Sequence, residues 1–91
     1  MADYVNTGGI KATVKDDKGV VIVGANVTVT PTSGGTATSK LTGSDGTATF
    51  TVNIGGYTVS VSTTKVGVGS QPSSQSTTVT ADVTNNLTFN Y

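Results

Sequence analysis

The sequence contains no cysteine, no histidine, no tryptophan, no arginine and no glutamate. Each absence removes a class of chemistry. Without Cys or His there is no disulfide framework, no Cys/His zinc site, and no Ser-His or Cys-His catalytic pair. The five cationic groups are all Lys and are balanced by five Asp, so the chain offers a phosphate backbone little, and nucleic acid is not expected as a partner. No apolar run approaches the roughly 18 residues of a membrane span. The opening Met1-Ala2-Asp3-Tyr4 lacks the basic start and apolar stretch of a secretory leader, which points to a protein assembled in the cytoplasm. The Asp residues are scattered apart from the pair Asp16-Asp17. The expectation is a non-enzyme with no catalytic residues, no cofactor and no metal.

What is present is Thr, Gly, Val and Ser, with 19 Thr and 12 Gly in 91 residues. That length suits one domain, which at this size buries roughly 60–65% of its unfolded surface. Thr and Val are β-branched and favour strands, and no segment carries helical apolar spacing beyond a turn. Period-two alternation runs throughout instead. Ile10, Ala12 and Val14 alternate with Lys11, Thr13 and Lys15. Asp16 to Gly19 then reads as a turn, and Val20 to Val23 is a short apolar run. Ala25, Val27 and Val29 alternate with Asn26, Thr28 and Thr30, and Thr36 to Thr42 is polar enough for an edge strand. Gly43 to Gly46 reads as a hairpin turn. Ala48, Phe50 and Val52 form the inward side of the next strand, and Tyr57, Val59 and Val61 that of a central one. Thr63 to Ser76 is the longest loop, and Thr77 to Val83 and Leu87 to Tyr91 close the chain as strands. Residues 1–8 show no pattern and read as a flexible arm before a single domain over 9–91.

About seven strands at roughly 8–12-residue spacing predict an all-β, antiparallel, immunoglobulin-like sandwich. Val14, Val27, Phe50, Tyr57, Val59 and Phe89 are expected to form its core. Several groups of residues then resemble the carboxypeptidase regulatory-like (transthyretin-like) domains. These are Ile10-x-Ala12-x-Val14-x-Asp16-x-x-Gly19, Val23-Gly24-Ala25-x-Val27, Thr42, Asp45-Gly46-x-Ala48-x-Phe50 and Gly56-Tyr57-Thr58-Val59-x-Val61. The resemblance is close over residues 9–61 and rests on strand number beyond. It implies a seven-stranded accessory module of the kind found on surface, secreted and phage virion proteins. Related B-type repeats of Gram-positive adhesins serve as stalk units.

The adhesin resemblance implies one piece of chemistry, an internal Lys–Asn isopeptide bond, for which Lys11 and Asn90 are the candidate reactants. Such a bond needs a buried acid near Val61, and alternation turns Lys11 toward water. Lys11 therefore reads as a solvated surface residue. Asn26-Val27-Thr28 and Asn86-Leu87-Thr88 match the N-glycosylation pattern, but such matches arise by chance in a Thr-rich chain. Asp16, Asp17 and Asp45 read as turn residues ahead of calcium ligands. Tyr4 and Tyr91, near the chain ends, are freer than Tyr57 to meet a partner, and Tyr57 is expected as a core anchor of the tyrosine-corner kind. Carbohydrate stacking on these rings is the weaker alternative to a protein contact. The expected contact residues are Tyr4 and Val5 in the arm and Lys65, Val66 and Val68 in the long loop. The functional expectation is a structural or protein-binding module of a phage virion (tail, baseplate or capsid decoration). The alternative is a stalk or adhesin repeat at a bacterial cell surface.

Overall fold

The computed structural model describes residues 6–91. Seven strands follow one another: β1 (Thr7–Lys15), β2 (Asn26–Pro31), β3 (Thr38–Leu41), β4 (Thr47–Asn53), β5 (Gly55–Ser62), β6 (Gln75–Val79) and β7 (Thr84–Asn90). No helix occurs among the described residues. The strands form two sheets, one of order β4-β1-β7 and one of order β3-β2-β5-β6. Alternation decides which side chains lie between them. Ile10, Ala12 and Val14 from β1, Val27 and Val29 from β2, Phe50 from β4, Tyr57, Val59 and Val61 from β5, and Phe89 from β7 all point into the shared core. All six residues expected to carry the core are buried.

Two expectations need correction. The sandwich is not wholly antiparallel: β1 and β7 pair in parallel over Gly9↔Thr84 to Lys15↔Asn90. Period two fixes which face a side chain takes, but it is the same for either strand direction. The arm also ends sooner than residue 8. Thr7 and Gly8 pair with Asn53 and Val52 in the β1–β4 ladder, and Ile54 donates its N–H to the Asn6 carbonyl at 2.8 Å.

Thr42 is a buried polar residue that ties the β1–β2 connection down. Its hydroxyl accepts from Ala25 N–H at 2.9 Å and donates to Ile22 C=O at 2.6 Å. Its backbone exchanges two further bonds with Gly24 and Ala25, at 2.9 and 2.8 Å. A hydroxyl in the core is tolerated because it is satisfied as both donor and acceptor. The apolar run Val20 to Val23 forms no strand. It makes a single bridge from Val21 to Lys15, sends Ile22 into the core, and leaves Val20 and Val23 exposed.

Side chains close the two flanks where the sheets part. On one, the Lys40 ammonium of β3 donates to the Thr49 carbonyl of β4 at 2.7 Å and lies 5.4 Å from the centre of the Phe50 ring. On the other, Gln75 of β6 donates to the Thr88 carbonyl of β7 at 2.8 Å, and Asn85 of β7 donates to the Thr78 carbonyl of β6 at 2.9 Å. These bonds bridge the flanks of two sheets that share no backbone ladder among the described residues.

Candidate functional site

The strand directions give the sandwich two poles. At the far pole, where β1 and β7 end, lie the β1–β2 connection, the β3–β4 turn, the β5–β6 loop and Tyr91. At the near pole lie Asn6 and the β2–β3, β4–β5 and β6–β7 connections. The far pole carries the exposed apolar residues Val20, Val23, Leu41 and Val66, and the near pole carries Ile54 and Val83.

The expected contact residues divide. Lys65 and Val66 are exposed at the far pole, Val66 at 90% of its free area. Val68 is not a contact residue: it is 5% exposed and belongs to the core. Gly67 and Gly69 flank it with φ of 79° and 112°, a region open to glycine and strained for other residues. The chain therefore dips inward for one residue and returns. The Asp17 N–H donates to the Val68 carbonyl at 2.8 Å and fixes the dip from outside. A lone apolar residue between two glycines is the sequence signal for such a plug. Tyr4 and Val5 lie outside the described residues. Val20, Val23 and Leu41 join Lys65 and Val66 at this pole and are residues that strand reasoning missed. A run of four apolar residues cannot all face one core, so part of Val20 to Val23 had to be exposed.

The Asp16 and Asp45 carboxylates serve turns. Asp16 accepts from the backbone N–H groups of Lys18 and Val20 at 2.8 and 2.9 Å. The Val20 bond is the main reason its pKa lies below the usual carboxylate range, with Lys65 among the nearby charges adding to the effect. Asp45 accepts from the Thr47 hydroxyl at 2.8 Å and N–H at 3.1 Å, and the hydroxyl bond is the leading cause of its lowered pKa. Among the described residues no three His, Cys, Asp or Glu side chains come together.

The two tyrosines among the described residues, Tyr57 and Tyr91, offer partners little. Tyr57 is buried, and its hydroxyl donates to the Asn53 carbonyl at 2.7 Å. That is the expected anchor, and it ties β5 to the end of β4 where the chain crosses from one sheet to the other. A groove of about 350 Å³ between the β3 and β4 flanks is lined by Thr7, Thr36, Thr51 and Asn53, with the Tyr57 ring at its wall turned mostly into the core. Tyr91 is not free for a partner either. Its ring packs against the core and its hydroxyl is shut away from water without a hydrogen bond among the described residues. Burial accordingly raises its pKa.

The register also bears on the isopeptide bond. Lys11 stands opposite Asn86, and Asn90 stands opposite Lys15. Lys11 is exposed, and Val61 occupies the core position where an acid would have to sit. Intact-mass spectrometry is expected to return the plain sum of the residues, allowing for Met1 removal. A deficit of about 17 Da, one ammonia lost by Lys attack on Asn, would overturn this.

Two sheets packed face to face, polar outer faces and a buried tyrosine bonded to the end of β4 define an immunoglobulin-like sandwich module. The chain belongs to the carboxypeptidase regulatory-like domain family, whose profile matches residues 9–91. Among solved structures, the Bacillus anthracis TIE protein has a similar fold. The TM-score is 0.71 at 15% identity, over 93% of this chain and 16% of that one. No curated protein matches the chain by sequence. The chain thus spans about one sixth of the solved structure it resembles.

Proposed function

We propose that this chain is a non-catalytic scaffold module that spaces other parts of a larger assembly and docks a protein partner through its far pole. The parallel β1–β7 pair carries the reading, because it makes the chain enter at one pole and leave at the other. Loops held by a rigid sandwich are suited to contact, and the far pole combines Val20, Val23, Leu41 and Val66 with Lys18 and Lys65, all exposed. A phage virion, as a tail, baseplate or capsid-decorating domain, is the setting supported by the cysteine-free, Thr- and Gly-rich composition. The second reading is a stalk or adhesin repeat of a bacterial surface protein. It is favoured by the occurrence of a similar fold as 16% of a much longer chain.

The test is retention of the purified chain on virions or cell envelopes of the source, after light scattering fixes its own oligomeric state. A Lys65→Ser, Val66→Ser double variant is expected to keep the urea midpoint of the parent and to lose retention. A Val68→Ala variant is expected to lose about 1–2 kcal/mol of stability from the removed core methyls. Unchanged retention of the double variant on both kinds of particle would reject docking through this pole.

A further inference from the structure

We propose that the chain bears tension, with the parallel β1–β7 pair as the clamp that carries the force. The inference deepens the spacer reading and rests on it. Seven consecutive residue pairs join the two strands. Gly9 N–H to Val83 C=O and Tyr91 N–H to Lys15 C=O, both 2.9 Å, bracket the ladder at its two ends. Asp82 N–H to Thr7 C=O, also 2.9 Å, extends it beyond Gly9.

Force applied between the chain ends pulls β1 toward the near pole and β7 toward the far pole. In that geometry the strands shear, and all ladder bonds share the load until they fail together. A hairpin opened from its mouth breaks its bonds one after another at much lower force. Forced unfolding follows the unfolding barrier, not the equilibrium stability, so a small domain of ordinary stability can still resist pulling.

Three features stop the strands from slipping. A one-residue shift would turn Ile10, Ala12 and Val14 out of the core, so β1 must advance by two residues, roughly 6.6 Å, to regain a matching face. β1 is also held on its other side by seven pairs to β4. At the far pole the loop around Val68 closes over the end of the clamp. A Cβ on Gly69 would come within 3.0 Å of the Tyr91 backbone carbon, and Asp17 is bonded to Val68 beside it. Hydrogen bonds thus hold together the two strands that a Lys–Asn cross-link would join covalently.

Single-molecule force spectroscopy tests this with handles fused to both chain ends. The comparison is a Lys18→Cys variant pulled from that thiol and the C-terminus. The chain has no native cysteine, so the handle has one site, and Lys18 is exposed in the turn at the same pole as Tyr91. An unchanged urea midpoint confirms that the variant is folded. End-to-end pulling is expected to need several-fold higher force at equal loading rate and to release the domain in one step. Equal or lower force end to end would overturn the clamp. That result with far-pole docking intact leaves a spacer that works unloaded. High force with no particle retention removes the docking reading and leaves the clamp.

Discussion

Replacing Phe50 with alanine is expected to cost about 3–5 kcal/mol, read from the urea midpoint at constant m-value. Phe50 is 2% exposed and is one of the two largest fully buried side chains. It stands opposite Ile10 in the β1–β4 ladder. The chain has only two Phe and no Trp, so little else can refill the space. The loss would consume much of the roughly 5–15 kcal/mol that holds a typical domain folded. A second consequence falls on Lys40, whose ammonium lies over this ring and would retain only its bond to Thr49. Lys40→Ala alone, at an exposed position, is expected to cost no more than about 1 kcal/mol. A Phe50→Ala loss under about 1 kcal/mol would show that the ring is not part of the packed centre.

Gly8→Ala is expected to be nearly as damaging, at about 2–3 kcal/mol or more. A Cβ there would stand 2.3 Å from the Thr80 carbonyl oxygen, 2.7 Å from a Val79 methyl and 2.9 Å from the Val83 carbonyl oxygen. Two of these are backbone atoms of the β6–β7 connection, which cannot swing aside as a flexible side-chain tip would. The turn must lift off β1, releasing the Asp82 N–H to Thr7 bond. Amide exchange at Asp82 should therefore accelerate more than exchange in β2 or β5. Gly19→Ala is the control. Its Cβ would meet nothing within 4 Å, so it carries only the left-handed backbone cost of about 1–2 kcal/mol. Equal effects at the two sites would contradict the close approach at Gly8.

The contrast between these positions shows what the amino-acid pattern can convey. Phe50 was legible because it alternates with Thr49 and Thr51 in a run with one wet face. Gly8 has no side chain to alternate, so its burial beneath a turn left no mark on the pattern. The pairing of β7 beside β1 was equally hidden, since alternation is blind to which strands meet. β6 was expected from Thr77 to Val83 but runs from Gln75 to Val79. Asp82 adopts φ 61° and turns the chain there, leaving Val83 exposed. At the far pole, the exposure of Lys65 and Val66 could be read from the polarity of their loop. The burial of Val68 depends on where that loop folds back, which is a tertiary fact.

The caps on the flanks bear on how copies of the molecule behave when crowded together. The unpaired carbonyls of an edge strand are a template for another chain, and stray pairing there leads to fibres and precipitates. Here the Thr49, Thr88 and Thr78 carbonyls are already taken by Lys40, Gln75 and Asn85. Two of these three donors are amides, which neither titrate nor weaken as salt screens charge. Resistance to stray pairing on the β6–β7 flank should therefore hold across wide ranges of acidity and salinity. Many copies could then stand shoulder to shoulder without fusing into a common sheet.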